Sequence, residues 1–268
     1  MKKWLKASLW TLFFAGLIAL VIFIQQTLNN KPLPEPEINI PSDGDNTFIT
    51  KDELLKKLYR QGYLFDSQKR SELEIDKIER FISNISQVKN VDVFQEMNGF
   101  WKINVELRTA IARIYNTSHE NFYLDEEGQI FQTTPTHTAR TVVFTGQIED
   151  RQNSISTSEI INNDSLISIR TLDDIYRISR YVCNDPLFHS LIGQVHLQRN
   201  GDFILVPLVG GQQIVFGSAY SEEEVQNKFK KLKIFYNEAM PYEGWETYSE
   251  INLKFEDQIV CKKKKENE

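Results

Sequence analysis

The run Val91-Asp92-Val93-Phe94-Gln95-Glu96-Met97-Asn98-Gly99-Phe100-Trp101-Lys102-Ile103-Asn104-Val105-Glu106-Leu107 decides how the first half of this chain folds. Val91 and Val93 alternate with polar residues, and so do Trp101, Ile103, Val105 and Leu107. A period of two puts each set on one face of a strand. Between them stands Asn98-Gly99, the strongest short hairpin signal. The run is a β-hairpin with one apolar face, and that face needs a covering layer.

The cover lies upstream. Thr50-Lys51-Asp52-Glu53 is a capping box, followed by an apolar stripe of Leu54, Leu55, Leu58 and Tyr59 that Gly62 ends. A second helix fits residues 73–85, with Ile75, Ile78, Phe81, Ile82 and Ile85 at helical spacing. Ile78, Phe81, Ile103 and Val105 are expected to share one core. A short strand at residues 37–40 completes a β-α-α-β-β module.

Before it, residues 7–24 form an uncharged run rich in Leu, Ile and Phe. As a helix this run spans roughly 27 Å, close to the thickness of a bilayer core. Lys2, Lys3 and Lys6 precede it and only Lys31 follows closely, so the N-terminus is expected inside and the remainder outside. Ile22-Phe23-Ile24-Gln25-Gln26 offers bulky residues where a signal peptide is cut, which favours an uncleaved anchor. Pro32, Pro34, Pro36 and Pro41 among polar residues suit an extended linker.

Beyond the hairpin, Asp125 to Gly128 is turn chemistry between strands at residues 121–124 and 129–132, which sets Tyr123 across from Phe131. Asp125, Glu126 and Glu127 read as a solvated hairpin tip. Strands are expected at residues 142–146, 191–198, 203–208 and 213–217, and a helix at residues 172–183. The polar residues 149–168 read as a mobile insertion. Ser221-Glu222-Glu223-Glu224 opens a helix whose stripe is Val225, Phe229, Leu232, Tyr236 and Ala239. A strand pair closes the chain. Its first member, residues 248–255, has Ile251, Leu253 and Phe255 alternating, and its second is residues 258–262. The fold class is α+β: one N-terminal transmembrane helix, the β-α-α-β-β module, then a mostly antiparallel β domain with flanking helices.

These elements, in this order outside an anchor, resemble a POTRA domain. Arg108-Thr109-Ala110-Ile111-Ala112-Arg113, then Phe122-Tyr123-Leu124-Asp125-Glu126-Glu127-Gly128-Gln129-Ile130-Phe131, look like the junction that follows it in the bacterial division family FtsQ, also called DivIB. Ala110 stands where that family usually carries proline. Asp257-Gln258-Ile259-Val260-Cys261 is similar to the Bacteroidetes-type C-terminus of the family. The expected plan is a tail at 1–6, membrane helix 7–24, linker 25–46, POTRA-like domain 47–115, β domain 116–262 and charged tail 263–268. The resemblance implies a non-enzymatic scaffold in the inner membrane at the septum. Its partners would be FtsB/DivIC-like and FtsL-like bitopic proteins, with other division components on the POTRA-like domain. Glu126 and Glu127 become partner-binding candidates through the resemblance. Tyr248, Phe255, Gln258, Ile259, Val260 and Cys261 do so as an edge where an extended segment adds as a strand.

Composition narrows the alternatives. A formal charge of −6 and a pI near 5.4 argue against a nucleic-acid partner. Cys183 and Cys261 are too few for a disulfide framework, and two separate half-buried thiols are expected ahead of a bridge. His119, His137, His189 and His196 lack metal-ligand spacing, so no metal or cofactor is expected. Asp173-Asp174 and Glu222 to Glu224 fall in first helical turns, where the helix dipole accounts for them. The alternative is a membrane-anchored envelope protein of another class, a cell-wall hydrolase, which needs convergent titratable residues in a cleft, or a POTRA-type chaperone, which is expected to carry a cleaved leader.

Overall fold

The computed structural model describes residues 2–41, 48–96, 98–152, 157 and 171–264. It divides into two units, Met1–Asp43 with Ile49–Leu107 and Gly44–Phe48 with Arg108–Glu268. The first begins with helix α1, Lys2–Asn29, longer at both ends than the apolar run alone. Its span Ser8–Asn29 has a mean hydropathy of 2.1, with none of it buried against the protein, and is long and apolar enough to cross a membrane.

After α1 the chain is extended, as the prolines require, but it is not free. Leu33 N donates to Gln68 O at 2.8 Å, and the Trp101 indole donates to Pro34 O at 2.8 Å. Strand β1 (Glu37–Asn39) then leads to α2 (Lys51–Arg60), whose capping box forms with both hydrogen bonds at 3.2 Å. Helix α3 (Ile75–Ser83) precedes β2 (Val88–Gln95) and β3 (Trp101–Leu107). The sheet order is β1-β3-β2, with β1 parallel to β3 and β2 antiparallel to it. Ile78, Trp101 and Ile103 are wholly buried and Val105 nearly so. Phe81 departs from expectation: it is half-buried, its ring 5.1 Å from that of Tyr63 near the surface.

The second unit is one nine-stranded sheet. Its strands are β4 (Ala110–Tyr115), β5 (Asn121–Asp125), β6 (Ile130–Gln132) and β7 (Val142–Gly146), then β8 (Ile192–Leu197), β9 (Phe203–Pro207), β10 (Gln213–Gly217), β11 (Tyr248–Asn252) and β12 (Val260–Lys263). Their order is β12-β11-β10-β9-β8-β7-β4-β5-β6. Most neighbours are antiparallel; β4/β7, β7/β8 and β10/β11 are parallel. Gly146 takes φ +104°, and an added Cβ there would lie 2.1 Å from Leu197 O, so only glycine lets β7 end against β8.

Helices α4 (Leu172–Asn184), α5 (Pro186–Leu191) and α6 (Glu222–Ile234) contribute to the same apolar core as one face of this sheet, with Ile175, Ile178, Phe188, Phe229, Phe144 and Leu205 wholly buried. Helix α5 was not foreseen. Asp185 caps it, accepting from Leu187 N at 3.0 Å, and Pro186 fits its first turn. A π-helical turn, Phe235–Ala239, joins α6 to α7 (Met240–Glu243). It adds a residue to the spiral, so Met240 is buried where Ala239 was expected.

Several carboxylates differ from their sequence reading. Asp125 is buried, paired with Arg108 at 2.7 Å, and accepts from Glu127 N and Gln129 N at 2.9 and 2.7 Å. Asp173 and Asp174 are buried too, bound by Arg177 at 2.6 and 2.7 Å. Ser221 accepts from Glu224 N at 3.1 Å, but the Glu224 carboxylate turns to Tyr220 N and Lys228, so the second capping box is half made. Of the predicted polar insertion, residues 153–156 and 158–168 lie outside the described residues. Asp150 within it is buried and accepts from Thr171 N and Oγ1 at 3.0 and 2.8 Å.

Candidate partner-binding edge

The end of the sheet at β12 is assembled in short steps from α6. Tyr236 is held by Gln212 Nε2 at 2.9 Å and packs 5.5 Å from the ring of Trp245. Gly244 turns the chain at φ +88°, and Tyr248 enters β11 with its ring 5.8 Å from that of Phe235. Ile251 and Leu253 are wholly buried, and Leu253 N donates to Val215 O at 2.9 Å, ending the parallel pairing with β10. There the alternation stops. Phe255 is 46 % exposed in the loop that follows, against the expectation that it continues the inward face. That loop is held by Lys231 Nζ, which donates to Phe255 O and Glu256 O at 2.5 and 2.8 Å.

Strand β12 returns antiparallel to β11, with Ile251 opposite Cys261 and Asn252 opposite Val260. Gln258 and Ile259 precede the strand. Ile259 and Cys261 pack partly against the core, while Val260, Lys262 and Lys263 are exposed. The backbone orientation follows from one bond. Lys264 N donates to Thr247 O at 2.9 Å, so Lys264 faces β11; in a regular strand Lys262 and Val260 then face it too. The extra residue in the pairing lies on β11, where Tyr248 opposes Lys263 and Glu250 opposes Lys262, so β12 keeps its alternation. The N–H and C=O groups of Cys261 and Lys263 thus point away from the sheet. Among the described residues no strand pairs with β12 on that side.

Glu126 and Glu127 sit elsewhere. They are exposed in the β5–β6 turn, where Tyr176 Oη donates to Glu126 O at 2.8 Å and Gly128 takes φ +77°. In the sheet order β5 lies seven strand spacings from β12, roughly 33 Å. The structure therefore gathers Tyr248 and residues 258–261 at one end of the sheet and leaves the two glutamates near the other. Cys261 was among the candidates, but the loop carbonyls held by Lys231 and the outward backbone of Lys263 were not singled out by sequence, because they depend on contacts between distant residues.

Both cysteines are free thiols, and burial pushes each of them up from the ordinary thiol range, away from nucleophilic thiolate. Among the described residues no three His, Cys, Asp or Glu side chains are placed to hold a metal ion. His196 is exposed on the sheet, its Nδ1 3.1 Å from Thr145 Oγ1.

Compared with known families, residues 109–262 match the family described as FtsQ/DivIB, C-terminal related. The match begins one residue before β4 and ends inside β12, so it covers the nine-stranded unit almost end to end. This chain belongs to that family. No individually curated protein matches it. The family is division-associated, generally non-catalytic, and works through interactions within the division complex. With α1, the match fits a membrane-anchored division protein.

Proposed function

We propose that this protein is a bitopic division scaffold of the inner membrane, with its short N-terminus in the cytoplasm and both folded units in the periplasm at the septum. The β12 edge accepts an extended segment of an FtsB/DivIC-like partner, and an FtsL-like protein joins the same complex. The first unit, POTRA-like in its β-α-α-β-β order, engages further division components. The observation that carries this reading is the outward backbone of Cys261 and Lys263 at the end of the family-matched sheet. An incoming strand would pair there through main-chain hydrogen bonds, with Val260 and Phe255 as exposed apolar contacts beside it. Glu126 and Glu127 belong, on this reading, to a separate surface.

The test is capture of the cognate FtsB/DivIC-like protein by the full chain in detergent micelles. Cys261→Pro removes an outward donor, whereas Cys261→Ala keeps it. Capture should survive Cys261→Ala and fail with Cys261→Pro, and capture by both would move the interface away from β12. Depletion in the source cell should yield filaments with unfinished septa; normal division would remove the assignment to the divisome.

A further inference from the structure

The first unit has an edge of its own. Strand β2 is eight residues long and ends the β1-β3-β2 sheet. Glu96 N donates to Phe100 O at 2.7 Å, toward β3, so the backbone groups of Asn90, Asp92 and Phe94 face β3 while those of Val91, Val93 and Gln95 face away from the sheet. The outward amide at the middle of this edge is occupied. Val93 N donates to Glu79 Oε2 at 3.1 Å, a carboxylate that reaches round from α3. A carboxylate is a stronger acceptor than the carbonyl an incoming strand would offer. Displacing Glu79 would also leave a half-buried carboxylate without this bond.

We propose that Glu79 is an edge guard: by occupying the Val93 amide it keeps two copies of this chain from pairing through β2. The occupant excluded is a second copy because the edge is self-complementary about Val93. An antiparallel two-fold pairing centred there sets Val93 against Val93, Val91 against Gln95, and Asp92 against Phe94. No like charges meet, and Phe94, 41 % exposed, supplies an apolar contact. The central hydrogen bonds of that pairing need the Val93 N–H that Glu79 holds. The guard restricts strand addition in this protein to edges lacking such a plug.

The experiment uses the full chain in detergent micelles with two substitutions. Glu79→Ala removes the acceptor while keeping a good helix former, and Glu79→Gln keeps an acceptor oxygen at the same reach. In Glu79→Ala, exchange of the Val93 amide at a dilution where the chain is monomeric should rise roughly tenfold or more. The particle mass by light scattering should then grow with concentration beyond that of the native chain. Glu79→Gln, whose amide oxygen is a weaker acceptor than a carboxylate, should fall between the native chain and Glu79→Ala in both measurements. Unchanged Val93 exchange in Glu79→Ala overturns the proposal. So does faster exchange without added association, or association in Glu79→Gln equal to that in Glu79→Ala.

Discussion

Strands β2 and β12 both end a sheet, and the chain treats them differently. At β2 the central outward amide is taken by Glu79 Oε2, so the edge is denied a hydrogen bond that strand addition needs. At β12 the outward groups of Cys261 and Lys263 have no side chain bonded to them among the described residues, and the defence is charge. Lys262, Lys263 and Lys264 are exposed there, Lys263 lies 3.7 Å from Glu243, and Lys264 pairs with Glu246. Lysines deter indiscriminate pairing yet leave the backbone available to a partner that tolerates them. Plugging a donor closes an edge, whereas charging it only makes the edge selective.

The comparison requires β2 and β3 to be held rigidly, and its largest test strikes there. Trp101 is wholly buried on the central strand and is tied to Pro34 O. Trp101→Ala should cost about 3–5 kcal/mol and expose the amides of β2 to exchange. Lys102, one residue on, bridges Glu37 and Glu96 at 3.0 and 3.1 Å on the partly exposed face, and Lys102→Ala should cost far less than Trp101→Ala. Equal losses in thermal unfolding would mean that the faces of β3 are reversed and the β2 edge is misassigned.

The next effect concerns how firmly the second unit is held. Arg177 answers two carboxylates, Asp173 and Asp174, and also donates to Ala219 O at 2.7 Å, while Glu224 and Lys228 pair at the start of α6. Burial, then the charge of Asp173, pushes the Asp174 carboxyl up from 3.8 to about 7, with Arg177 opposing and Glu224 adding. The folded state therefore holds a proton that the unfolded chain releases near pH 3.8. That contribution is complete below about pH 4 and is lost as pH rises toward and through 7. The unfolding midpoint of the native chain should fall over this range relative to that of Asp174→Asn, the difference cancelling the other carboxylates. Parallel curves for the two proteins would place the proton elsewhere.

What sequence revealed and what it hid divide along local and distant contacts. The Thr50–Glu53 box and the facing pair Tyr123 and Phe131, their rings 5.3 Å apart, follow from spacing and turn chemistry, and both form. Asp125 looked like a solvated turn residue because Arg108, its partner 17 positions away, carries no periodic signature. Asp173 and Asp174 were correctly set in a first turn, but spacing gave no sign that both are buried or that Arg177 also reaches Ala219 O. The same limit applies to the edges. Alternation identified the apolar face of β2, but not that Glu79, 14 residues earlier, would reach the Val93 amide.

The smallest effect separates the two sides of β12, and it tests the backbone orientation on which the contrast rests. Val260 pairs with Asn252, and by alternation its N–H points at β11, so Val260→Pro deletes a bond inside the sheet. That loss should lower stability by roughly 1–3 kcal/mol, because it leaves the Asn252 carbonyl without its donor. Cys261→Pro deletes a donor aimed at solvent and replaces a half-buried thiol with an apolar ring, so its cost should stay below about 1 kcal/mol. Each side chain alone predicts the reverse, since Cys261 packs partly on the core and Val260 is exposed. The pair therefore distinguishes backbone direction from side-chain burial. If Cys261→Pro proves the more damaging, β12 turns its donors inward at Cys261, and the open edge at this end of the sheet does not have the orientation proposed.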